Sequence, residues 1–161
     1  MRESNGQPAT GNGRLPFACC PLPVANLHWA AAYLGRPWRL GADGPETYDC
    51  WGLVRAVYRA RCGVEIPAAG FASEEPRALI AGIAAYPAWN EWRPVEGRPD
   101  ELDAVVMAQG RHPVHVGLWV AAGAAMAVLH TTRAGGVVVQ DKPSLSATGF
   151  RIVGTYRHAS R

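Results

Sequence analysis

The chain has 161 residues, enough for one domain with a real core and too few for two ordinary ones. Apolar residues make up 48% and charged residues 18%, with Gly and Pro spread throughout, which excludes a disordered or fibrous class. A net charge of +3 with dispersed Arg compels no nucleic-acid partner, and no uninterrupted apolar stretch is long enough for a membrane-spanning helix.

Residues 1–14 are polar and rich in Gly, Asn and Ser, and read as a disordered tail before a single domain over residues 15–161. Residues 15–24 are apolar but broken by Pro16, Pro21 and Pro23, so they do not read as a secretory signal. Synthesis in the cytoplasm with reduced thiols is the corresponding expectation. Ala25 to Leu34 carries apolar residues at helical spacing and ends at Gly35, a plausible C-cap. Arg36 to Tyr48, with Pro37, Gly41, Gly44 and Pro45, reads as a loop wrapping toward Cys50.

From Cys50 to about Arg61 the spacing of Leu53, Val54, Val57 and Tyr58 predicts a helix, with Asp49 as N-cap and Gly63 as C-cap. A second helix is expected from Ser73 to about Tyr86, and Trp89 and Trp92 are expected on a connecting loop. After Pro99 the chain turns β-prone. Strands are predicted at Asp103–Gln109, Val114–Val120, Ala125–Thr131, Val137–Asp141 and Arg151–Tyr156. Helices followed by a strand meander give an α+β domain, with N-terminal helices packed on a C-terminal antiparallel sheet of about five strands.

Cys50 draws attention because a thiol at a helix start faces unpaired amide hydrogens and the positive end of the helix dipole, which favour thiolate. The plainer alternative is a buried Cys acting as a small hydrophobe. A cysteine nucleophile needs a base and a third group that orients it. If the strands around Ala122-Gly123 form a hairpin with a two-residue or four-residue loop, His115 and His130 stand opposite each other on one face. A lone strand His is usually structural, but this pair supplies a base with its orienter. Asp103 reads as a structural strand-start residue and His112 as a solvent-exposed loop residue. Cys19, Cys20 and Cys62 lack metal-ligand spacing, so neither a metal nor another cofactor is expected.

Asp49-Cys50-Trp51-Gly52-Leu53-Val54, then His115-Val116-Gly117-Leu118, then Leu129-His130, resembles the NlpC family of papain-like cell-wall cysteine peptidases. Arg36 to Gly41 resembles the loop before that family's cysteine, and Leu102 to Met107 its Gly-Asp-hydrophobic strand. Together the motifs run in the family's order over about residues 27–156. The resemblance implies a papain-like fold, Cys50 as nucleophile, His115 as base and His130 as orienter. Trp38 stands where the family commonly has a Tyr near the active site. Trp38, Asp49 and Trp51 are thus candidate substrate-binding or oxyanion residues, beside the backbone amide of Cys50.

The implied substrate is the peptidoglycan stem peptide, cut between a D-glutamyl residue and the following diamino acid. Trp51 in place of the family's usual Ser makes the motif look most like the branch found in phage tail assembly proteins and gene transfer agents. That implies phage-like tail proteins as partners. The alternatives are an amidase or acyltransferase on the same scaffold, and a non-catalytic tail-tip or assembly protein.

Overall fold

The computed structural model describes residues 29–69 and 88–161. The expected tail over residues 1–14, the first part of the helix expected from Ala25, and the helix expected from Ser73 lie outside the described residues. From residue 29 the first helical pattern forms only a short 3₁₀ turn, Ala30–Ala32. Gly35, at φ 75°, does not close a helix. Its N–H donates to the carbonyl of Val137 at 2.9 Å, and Val137 returns a bond to Arg36, so this corner is tied to a strand.

Helix α1 is Cys50–Cys62, with Asp49 accepting from the Gly52 N–H at its start and Gly63 left-handed at its end, as the spacing predicts. The strands are β1 (Trp92–Pro94), β2 (Ala104–Gln109), β3 (His112–Ala122), β4 (Ala125–Thr132), β5 (Gly136–Gln140) and β6 (Phe150–His158). They form one antiparallel sheet in the order β1-β6-β2-β3-β4-β5. The sheet therefore has six strands rather than about five. The added strand begins at Trp92, which was expected in a loop; it pairs with His158 and is buried against Tyr58. Trp89 lies in a 3₁₀ turn, Trp89–Glu91.

A second helix among the described residues, α2 (Lys142–Ala147), lies between β5 and β6. Its Asp141 cap accepts from Ser144 N–H at 2.8 Å, and a proline sits in its first turn. The two faces of the sheet are covered differently. One receives α1, whose Leu53, Val54, Val57 and Tyr58 pack with Leu118, Val120 and Leu129. The other buries Val105, Met107, Trp119 and Val128 under Leu145 of α2. Burial of these side chains is the main force holding α1 and the sheet together.

The β3–β4 turn is Gly123-Ala124, one residue later than expected, with Ala122 paired to Ala125 and Leu118 to Leu129. Gly123 takes φ 65° at the first turn position, where two-residue hairpin loops favour glycine. Each partner thus moves by two residues, which preserves the faces. His115 and His130 are diagonal neighbours on one face rather than directly opposed.

Candidate active site

The loop before α1 is held by a dense set of backbone bonds: Arg39 N–H to Tyr48, Tyr48 N–H to Pro37, and Asp49 N–H to Ala42 at 2.8 Å. Asp49 joins loop and helix. One carboxylate oxygen accepts from Gly52 N–H and the other from Gly41 N–H at 2.7 Å. Arg55 adds a bond to Asp43 at 2.8 Å. Gly52 is required by this closeness, since a Cβ there would lie 2.0 Å from the carbonyl oxygen of Ala42. Asp49 is therefore a cap and loop clamp, and burial raises its pKa against the opposing pull of the Gly52, Gly41 and Trp51 amides.

A cavity of about 750 Å³ opens beside the start of α1, and its wall includes Trp38, Asp49, Cys50, His115, Gln140 and Phe150. The fold thus brings together Cys50 and His115, 65 positions apart by their numbers, in one space. Trp38 stands in the wall with the Arg133 guanidinium 4.8 Å over its ring. His112 is exposed as expected, but it begins β3 and also lines this cavity. Trp51, a candidate binding residue by its neighbourhood in sequence, lies elsewhere. It is 5% exposed, donates its indole N–H to Pro67 at 3.0 Å and packs on Trp92.

His115 Nε2 lies 2.9 Å from His130 Nδ1, and His130 Nε2 lies 2.8 Å from Gln140 Oε1. Phe150 stacks on the His115 ring at 4.9 Å and meets His130 edge-on at 5.5 Å, which restricts both rings. Gly117 makes room for the second of them. A Cβ at that position would come within 3.0 Å of the His130 Cβ.

Gln140 and Phe150 were not foreseen as site residues. A single Gln ending a valine-rich strand carries no distinguishing pattern, and Phe150 reaches the site only through the pairing of β6 with β2.

The electrostatics differ from the expectation of a helix-start thiolate. Burial pushes the Cys50 thiol up to about 12, and the neighbouring Asp49 charge adds to this. The N–H groups of Val116, Trp51 and Cys50 itself oppose the rise but do not cancel it. Burial likewise pushes His115 down to about 3, with His130 contributing in the same direction and the Thr131 backbone opposing. His130 is lowered by burial too, against hydrogen bonds to Gln140 and the Thr131 backbone. At Cys50 desolvation thus outweighs the helix-start amides and favours the thiol over the thiolate.

Asp103 lies outside this cavity wall and is fully buried. Arg157 grips it through bonds of 2.8 and 2.7 Å, with Arg161 at 3.3 Å. Burial alone would raise its pKa, but Arg157, the Asp100 N–H and Arg161 together hold it below the usual value. It is structural. Among the described residues no helix is long and apolar enough to cross a membrane.

Residues 35–148 match the family described as NlpC/P60 family. No curated protein matches the sequence. Among solved structures, NlpC1 from Trichomonas vaginalis is similar at 20% identity and TM-score 0.55, over 81% of this chain and 42% of that one. NlpC2 from the same organism is similar at 17% identity and TM-score 0.57, over 81% and 45%. The NlpC/p60 domain of peptidoglycan hydrolase SagA is similar at 17% identity and TM-score 0.52, over 83% and 97%. This chain thus spans less than half the length of the two Trichomonas chains. At these identities the likeness establishes a shared papain-like fold.

Proposed function

This chain belongs to the NlpC/P60 family, and we propose that it is a cysteine peptidase that cuts the stem peptides of peptidoglycan. The observation that carries this reading is the hydrogen-bonded row His115–His130–Gln140 beside the cavity that Cys50 also lines. In the proposed reaction, His115 takes the thiol proton as Cys50 Sγ attacks the amide carbonyl. The backbone N–H of Cys50, at the helix start, receives the developing oxyanion. The imidazolium then protonates the leaving amine as the C–N bond breaks, leaving a thioester on Cys50. Water, deprotonated by the same ring, attacks the thioester, releases the acid and returns the thiol.

We read the bond as the one between a D-glutamyl residue and the following diamino acid, on the strength of the motif resemblance. The same reading has the protein carried by a phage-like tail, in keeping with the Trp after the nucleophile. Purified protein incubated with cell-wall sacculi, beside Cys50→Ala, tests the activity. Release of new muropeptide ends by the parent alone is expected; equal release by both, or by neither, contradicts the reading.

A further inference from the structure

We propose that Gln140 is a positioning residue that selects the tautomer of the histidine pair and thereby makes His115 a base. The inference rests on the peptidase reading for its kinetic consequence and on geometry alone for its tautomers. Gln140 is the last residue of β5, an edge strand, and its Oε1 lies 2.8 Å from His130 Nε2. With the amide oxygen turned to the ring, His130 carries its proton on Nε2, since a carbonyl oxygen only accepts; the same amide turned over would present its NH₂ there instead. His130 Nδ1 is then a lone pair, and at 2.9 Å it accepts from His115 Nε2–H. One proton remains for the neutral His115 ring and it is on Nε2. Its Nδ1 is left with the lone pair that a base needs.

The opposite arrangement shows what Gln140 decides. An NH₂ donor at that place would leave His130 Nε2 as acceptor and put the proton on Nδ1. His130 would then donate to His115 Nε2, the remaining proton would occupy His115 Nδ1, and no basic nitrogen would face away from the pair. The amide also stays neutral in use. When His115 becomes imidazolium, its Nε2–H still donates to His130 and the charge remains on His115, whereas a carboxylate at residue 140 would draw the positive charge and raise the basicity of the pair. The stacked Phe150 ring fixes how the imidazoles lie but cannot choose between tautomers, because it neither donates nor accepts in the ring plane.

The test uses the whole chain with ¹⁵N-labelled histidine, as the parent, Gln140→Met and Gln140→Glu. Imidazole ¹⁵N spectra of the parent near neutral pH should show both His115 and His130 protonated on Nε2. In Gln140→Met, His130 should become a mixture, and kcat on sacculi fragments should fall about 10-fold or more with KM little changed. Gln140→Glu, which keeps the acceptor, should restore turnover and move the acid limb of the kcat/KM profile upward by about one pH unit.

Nδ1 protonation of His130 in the parent would overturn the proposal. So would a Gln140→Met protein with unaltered tautomers, or a folded Gln140→Glu protein as inactive as Gln140→Met. If the parent hydrolyses nothing yet the tautomers respond to Gln140→Met, the peptidase reading falls and the tautomer assignment stands.

Discussion

Gly52→Ala isolates the packing that holds the loop before Cys50 on helix α1. A Cβ at residue 52 would meet the Ala42 carbonyl oxygen at 2.0 Å, the Ala42 carbonyl carbon at 2.8 Å and Asp43 Cα at 2.9 Å, when real Cβ contacts essentially never fall below 3.0 Å. All three are backbone atoms, so the loop must retreat by about 1 Å, and no side chain can rotate away instead. Two bonds lie in the path of that retreat, Asp49 N–H to Ala42 at 2.8 Å and Gly41 N–H to the Asp49 carboxylate at 2.7 Å. Losing them costs about 1 kcal/mol for the neutral bond and about 2 for the charged one. The gain in helix propensity from Gly to Ala returns about 1 kcal/mol, and residual overpacking costs about 1 or more.

The net expectation is a loss of about 3 kcal/mol, read as the shift in equilibrium urea unfolding followed by circular dichroism. Muropeptide release should fall as well, since the displaced loop carries Trp38 and Leu40 of the cavity wall. A change of less than about 1 kcal/mol with full activity would mean instead that loop and helix are not in contact at Gly52.

Three other outcomes are expected. Stability should have a plateau bounded by the ordinary pKa values of His115, 6.5, and Cys50, 9.0, and fall on either side. Below 6.5 the unfolded chain protonates the imidazole while the folded protein resists, and above 9.0 the unfolded chain ionises the thiol while the folded protein resists. Melting temperatures across pH should show both limbs, and replacing Cys50 by Ala should move the alkaline edge from 9.0 toward 10.0, where Tyr58, also raised by burial, sets it. Asp103→Ala should destabilise by about 2 kcal/mol, measured by urea unfolding, because the Asp100 N–H, Arg157 and Arg161 lose a buried charged acceptor while Arg157 keeps Asp100 at 2.7 Å. Phe150→Ala should lower kcat about 10-fold at nearly constant KM in a sacculi-fragment assay, because the stacked ring that restricts His115 and His130 is gone.

Helix α1 was legible because Asp49, Gly63 and the apolar spacing between them all agree, and the strand meander because its runs are long and separated by turn residues. The hairpin register was less so. In Ala121-Ala122-Gly123-Ala124-Ala125 no neighbouring side chain marks where the turn falls, and the observed turn differs by one residue and the pairing by two. The error preserved the face, and so the histidine pair. Strand β1 has only three residues and exists through its pairing with β6, which no local pattern records. Trp51 follows Cys50 in sequence, but one helical step turns it about 100° away, into the aromatic core. The thiol shift was misread for a related reason: a helix start is visible in sequence, while the burial that outweighs it is a property of the folded loop.

In the proposed reaction Cys50 carries the acyl group, and mass spectrometry of an acid-quenched reaction with a stem-peptide substrate would detect it there. An acyl adduct is expected on the proteolytic fragment containing Cys50, formed within one turnover, absent from Cys50→Ala and released on further incubation. Turnover without that adduct in the parent, or an equal adduct on a fragment containing another cysteine, would contradict this role of Cys50.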